Sequence, residues 1–147
     1  MKFEGSKEIN VNSSLIWGFL TNPTNLAECL PDAKSYEVVD DKTIKAKLKI
    51  GISFIKETFD STIIYSEVML DSKYMKITID AKGKANSATI NIEVNIEDIG
   101  SITKLHWMVD AFMTGKLVSV GQRYILKVAD RLIEQAFTCM ISKLTST

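Results

Sequence analysis

Residues 115–144 read GKLVSVGQRYILKVADRLIEQAFTCMISKL, and they decide the fold. Leu117, Val120, Tyr124, Val128, Leu132, Ala136, Met140 and Leu144 form one apolar row, with Ile125, Ala129, Ile133, Phe137 and Ile141 beside it. Steps of four overshoot a full turn of 3.6 residues by about 40°, so the apolar stripe winds round the axis. A helix on a flat surface has no use for a winding stripe; one gripped by a curved sheet does. Neither Gly nor Pro interrupts the pattern after Gly121. At about 1.5 Å per residue, a single helix over Gly115–Leu144 would span roughly 40–45 Å and form the centre of the core.

Upstream the period changes from about four to two. Phe3, Gly5, Ile9 and Val11 alternate with Lys2, Glu4, Glu8 and Asn10, the pattern of a half-buried strand. Asn12-Ser13-Ser14 offers caps for a short helix carrying Leu15 to Leu20, which Asn22-Pro23 ends. A second short helix, Thr24 to Cys29, stops at Leu30-Pro31-Asp32. Tyr36 and Val38 then lead to a turn at Asp40-Asp41-Lys42, and Ile44, Ala46, Leu48 and Ile50 alternate with lysines until Gly51 breaks the run. A long strand over 53–66 carries Ile55, Phe59, Ile63 and Tyr65 on one face. Met75–Lys82, Ile90–Glu97 and Leu105–Ala111 repeat the alternation. The spacing predicts an α+β fold: a curved antiparallel sheet of about seven strands around the long helix, with two short helices between strands 1 and 2. One domain over 1–147 is expected, without repeat, linker or low-complexity segment.

With 18 basic and 18 acidic residues the net charge is zero, which argues against a nucleic-acid binder. Cys29 and Cys139 have no metal-ligand spacing and suggest no disulfide scaffold; both read as small buried apolar residues. The polar start MKFEGSKEI is no signal peptide, and no apolar run is long enough to span a bilayer, so a cytoplasmic setting is expected.

Groups for chemistry are sparse. His106, the one histidine, alternates away from Leu105 and Trp107, and no metal site, phosphate loop or cofactor motif is present. Alternation puts Glu57 on the face of Ile55 and Phe59, where burial would raise its pKa; a β-bulge between Gly51 and Glu57 would instead turn it outward. Asp110 is expected in solvent, and Arg123 and Arg131 are expected to snorkel or pair with carboxylates. The helix is small and polar at Ser119 and Gly121, so a sheet gripping only its C-terminal half would leave an apolar cavity under the N-terminal half. A filled core is the alternative reading.

The element order resembles the helix-grip fold of the START-like, Bet v 1-like (SRPBCC) superfamily. Within it the chain is similar to the G-subunit family of carbon monoxide dehydrogenase over essentially its whole length. The likeness rests on MKFEGSKEINVNSSLIWGFLTNPTNLAECLPDAKS, on KETFDS, and on TGKLVSVGQRYI leading into ADRLIEQAF. The resemblance implies a non-catalytic carrier or adaptor without a cofactor, associated with a molybdenum hydroxylase of the carbon monoxide dehydrogenase type. It implies recruitment to the membrane and handling of a quinone or lipid-like molecule; a few branches of the superfamily are cyclases. Carried onto this chain, the ligand-binding wall comprises Trp17, Leu26, Leu30, Phe59, Ile77, Ile92, Trp107, Leu117, Val120, Gly121 and Tyr124, with Glu57 as a polar cavity group. Three departures stand out. Asp32 replaces a glycine after Leu-Pro, a position where Asp tolerates left-handed geometry. Glu57 and Ser61 replace glycines in the KETFDS stretch. The chain stops at Thr147, where many members continue into a hydrophobic anchor, so a soluble or peripheral carrier is expected.

Overall fold

The computed structural model describes residues 1–146. Strand β1 (Lys2–Ile9) is followed by helices α1 (Ser13–Leu20) and α2 (Pro23–Glu28). Six strands follow: β2 (Ala33–Asp40), β3 (Thr43–Ile52), β4 (Ile55–Met69), β5 (Tyr74–Lys82), β6 (Ser87–Ile99) and β7 (Ile102–Thr114). A 3-10 turn (Gly115–Ser119) leads into helix α3 (Gln122–Thr145). The strands form one antiparallel sheet in the order β1-β7-β6-β5-β4-β3-β2, so the first strand pairs with the last and the rest is a meander. The sheet curves around α3.

The short helices form where the chain supplies their caps. The Asn12 side chain accepts from the Ser14 amide at 2.8 Å, and Asn22 accepts from Thr24 at 2.9 Å with Pro23 opening α2. Tyr65 donates from β4 to the Leu20 carbonyl at the end of α1, and burial raises its phenol pKa. On the buried side, Thr103 donates to the Val11 carbonyl at 2.6 Å and fixes the chain leaving β1.

Four expectations need correction. The long helix does not begin at Gly115. Ser119 donates its hydroxyl to the Lys116 carbonyl at 2.7 Å, Val120 and Gly121 are extended, and Gly121 becomes the N-cap of α3. The helix therefore has 24 residues and spans about 36 Å. Second, Gly51 does not break β3, which continues to Ile52 and turns at Ser53-Phe54. Third, β3 and β4 pair without a register shift through Ile50–Glu57, so no bulge turns Glu57 outward.

Fourth, Cys29 and Cys139 are joined by a disulfide, with Cα atoms 5.6 Å apart and a sequence separation of 110. Folding carries the end of α2 onto α3, a proximity that spacing in the chain does not encode. Glu28 pairs with Lys143 at 3.0 Å and Asp32 with Arg131 at 3.1 Å on either side of the bond. No helix among the described residues is long and apolar enough to cross a membrane.

Candidate functional site: the concave face of the sheet

The interior is not one continuous cluster. A larger one gathers Ile9, Ile16, Trp17, Phe19, Ile44, Ile63, Met75, Val94, Leu105, Phe137 and Met140 beneath the short helices and the C-terminal half of α3. A smaller one, Ile55, Phe59, Ala81, Leu117, Val120 and Ile125, plugs the opposite end where the 3-10 turn meets α3. The hollow expected beneath the N-terminal half of the helix is therefore occupied at its far end, because the 3-10 turn folds Leu117 and Val120 inward.

Along the edge of the smaller cluster, to which Ala81 belongs, the sheet carries a row of small side chains. Ala46 lies opposite Ser61, Ser61 opposite Ala81, and Ala81 opposite Ala88, one continuous cross-strand line over β3 to β6. Next to this row, Phe3, Leu48 and Ile90 share the face of buried neighbours yet are only half-buried, and so are Val128, Ala129 and Leu132 on α3. These inward apolar side chains still meet solvent. The row beside them is short of side-chain volume, since each small residue stands where a large β-former would project further. Reading for bulky apolar residues overlooks this row; the same alternation, applied to Ala46, Ser61, Ala81 and Ala88, exposes it.

The residues expected to line a wall are divided between the two clusters. Trp17, Leu26, Leu30, Ile77, Ile92 and Trp107 belong to the larger cluster or pack against it. Phe59, Leu117 and Val120 belong to the smaller. Gly121 is exposed at the helix cap, and Tyr124 is 50% exposed with the Arg123 guanidinium 5.6 Å from its ring. Both stand at the rim rather than inside, because α3 starts later than its apolar pattern suggests. Trp107 is half-buried; its indole lies over Gly5, its cross-strand partner, and 5.2 Å from the Phe137 ring. A Cβ on residue 5 would come within 2.6 Å of that indole, so the glycine makes room for the tryptophan.

Glu57 does face inward, but its chemistry is the reverse of that expected. Its carboxylate accepts from the Ala85 amide at 2.9 Å and the Asn86 side-chain amide at 2.7 Å. The Asn86 and Ala85 hydrogen bonds hold its pKa below the ordinary 4.5. The buried Asn86 also accepts from the Leu117 amide at 3.0 Å, so Glu57 ties β4 through the β5–β6 turn to the 3-10 turn. A Cβ on Gly83 would collide with that carboxylate. Glu57 is a structural anion at one end of the sheet.

The remaining polar candidates sit apart. His106 faces outward beside Glu4, 3.4 Å from its carboxylate, and Asp110 is 4.0 Å from the N-terminal amine. No group of three or more His, Cys, Asp or Glu suited to a metal exists among the described residues. Two open concavities lie away from the belt. One of about 450 Å³ on the convex face is lined by Lys2, Glu4, Lys76, Glu93 and Asp110 among others, and one of about 460 Å³ lies near Gly18, Asn22, Lys42 and Tyr65. Most of the residues around the first are charged or polar, but Phe3 of the inward face also borders it.

A curved seven-stranded antiparallel sheet around a long C-terminal helix, with two short helices after the first strand, is the helix-grip architecture of START-like, Bet v 1-like proteins. The chain belongs to the CoxG family, the G subunits of carbon monoxide dehydrogenase, whose model matches residues 5–145. Among solved structures, a conserved protein from Geobacillus kaustophilus superposes with a TM-score of 0.88 at 25% identity, over 98% of this chain and 95% of that one. A START superfamily protein from Mycobacterium smegmatis gives 0.67 at 12% identity, over 97% and 96% of the two chains. The Zhui aromatase/cyclase from a Streptomyces species gives 0.69 at 11%, over 98% and 93%. The last two likenesses concern the fold alone. Comparison with curated proteins finds no match.

Proposed function

We propose that this protein is a non-catalytic carrier that binds a hydrophobic molecule, a quinone or lipid-like compound, on the concave face of its sheet. It would act as an accessory subunit to a molybdenum hydroxylase of the carbon monoxide dehydrogenase type. The observation that carries this reading is the belt along the edge of the smaller cluster, where a row of small residues runs beside inward apolar side chains in contact with solvent. Such surface gains about 25 cal/mol per Å² when a ligand removes it from water. The family name supports the choice of partner enzyme. A quinone suits the site because the belt offers Ser61 as its one polar side chain in the row of small residues, too little to hold a charged metabolite.

A catalytic role is disfavoured by the same geometry. Glu57 is held ionised by its hydrogen bonds, His106 faces outward, and Tyr124 is at the rim, so no acid–base pair converges on the belt.

Intrinsic fluorescence tests the reading, since the protein holds two tryptophans, Trp17 and Trp107. Titration with a short-chain quinone should quench emission saturably, and replacing Trp107 by Phe should remove most of the quench. Linear, unsaturable quenching with both the quinone and a fatty acid would reject the carrier and favour an adaptor that works through its surface.

A further inference from the structure

The turns of the sheet fall at two ends of the molecule, and these ends are complementary in shape and in charge. At one end Phe54 is 70% exposed at the tip of the two-residue β3–β4 turn, where Ser53 takes a left-handed φ of 57° and fixes the tight bend. Val118 is 67% exposed on the 3-10 turn at the same end, because its neighbour Leu117 packs with Ile55 in the smaller cluster. Residues 49–57, 83–87 and 113–129 build this end and hold six cations, Lys49, Lys56, Lys84, Lys116, Arg123 and Lys127. All six are exposed, and none lies within 4 Å of a carboxylate among the described residues. Glu57, the one carboxylate in these segments, is bound to Ala85 and Asn86.

The other end carries a socket. A concavity of about 460 Å³ lies between the α1–α2 junction, the β2–β3 turn and β4, bordered by Gly18, Pro23, Asp41, Lys42, Tyr65 and Val68 among others. Gly18 is an exposed residue inside α1, and a Cβ placed on it would meet nothing within 4 Å. Glycine in a helix interior is destabilising relative to alanine, and no neighbour within the molecule demands one here. What its bare backbone does is leave the concavity open. Val68, Met69 and Leu70 are exposed in succession where β4 ends. The turn segments of this end, 39–42, 66–74 and 96–103, hold six acids and two lysines. All six acids are exposed, and none is within 4 Å of a cation among the described residues.

The fifteen residues of β4 separate Phe54 from Leu70, about 50 Å along the strand, so the two ends of one molecule cannot meet. We infer that they meet between copies: the Phe54 turn of one molecule enters the concavity beside Gly18 of the next, with its lysines over the acids there. The contact is heterologous and leaves one turn and one concavity free on every pair, so copies add head to tail. Burial of the Phe54 ring against Val68 and Tyr65 supplies attraction, and the opposite charges set the direction of docking. Two cationic ends, or two acidic ends, repel each other, which disfavours a two-fold dimer through either. No ligand in the belt is needed for this contact.

Sedimentation velocity of the full-length protein at low salt, from micromolar to millimolar concentration, tests the proposal. The sedimentation coefficient should rise with concentration past that of a dimer, and high salt should reverse the rise. Phe54→Ser removes the projecting ring and Gly18→Gln fills the concavity; each should weaken association at least about tenfold. Both positions are open to solvent, so both variants should keep the wild-type melting transition, and Lys56→Glu with Lys116→Glu provides a second way to disable the cationic end. An equimolar mixture of Phe54→Ser and Gly18→Gln retains one intact concavity and one intact turn, and should form dimers and nothing larger. A wild type that stays monomeric or stops at a dimer, variants that associate as wild type does, or a mixture as monomeric as either variant alone would overturn the proposal.

Discussion

Asp32 adopts φ of 60°, left-handed backbone that most side chains avoid at a cost of about 1–2 kcal/mol, and its carboxylate meets Arg131 across the turn. The ion pair is part-exposed and worth little by itself. Backbone geometry should therefore dominate: Asp32→Ala is expected to cost about 1 kcal/mol in urea denaturation, and Asp32→Gly clearly less. Equal losses would transfer the weight to Arg131. Glu57 makes a second prediction, through pH. Its folded pKa lies below the unfolded 4.5, so its stabilising share is present above that value and lost as pH falls through the folded pKa. Wild type should accordingly exceed Glu57→Gln in stability at neutral pH, with the gap closing below about pH 4.5. A gap unchanged at acidic pH would mean that shape, not charge, holds the β5–β6 turn. The left-handed tolerance of Asp32 was legible because residue type limits backbone geometry. The pKa of Glu57 was not, because its partners Ala85 and Asn86 arrive from another turn.

At the scale of elements, the strands were legible and the junctions were not. Alternation along β3 to β7 marks which residues point inward, and the observed register keeps those sets opposed: Ile63 faces Ile79, and Ile79 faces Ile90. The start of α3 was hidden because Leu117 and Val120 continue the helical apolar period while folding as a 3-10 turn and an extended link. The period reports burial, which those residues do have. The disulfide was hidden for a different reason: α2 meets α3 only in three dimensions. It staples a short helix with one buried residue, Ala27, to the longest element of the fold. Cys29→Ala with Cys139→Ala should lower stability by about 2–4 kcal/mol, and a dithiol reductant should reproduce the loss in wild type but not in the variant. A reductant-insensitive wild type of unchanged stability would show that Glu28–Lys143 and Asp32–Arg131 hold the helices without the bond.

For the whole molecule, the two clusters and the row of small residues beside them carry the functional account. Large inward residues were easily read from the sequence, and they proved to sit in two clusters, Trp17 and Trp107 with one, Phe59 and Leu117 with the other. The proposed binding belt rests on small residues, whose contribution would be volume left for a ligand. That volume depends on sheet curvature and helix position, neither of which a chain pattern specifies. Ala88 is the most instructive site, since it is half-buried at the end of the row Ala46–Ser61–Ala81–Ala88.

The most direct test is the affinity of a short-chain quinone for wild type and for Ala88→Phe, measured by titration calorimetry alongside thermal melting. The account predicts a saturable wild-type isotherm that weakens at least about tenfold when the ring occupies the belt, with the melting transition of the unliganded protein preserved or raised. Equal affinity in a folded Ala88→Phe protein would contradict it and place any ligand outside the belt.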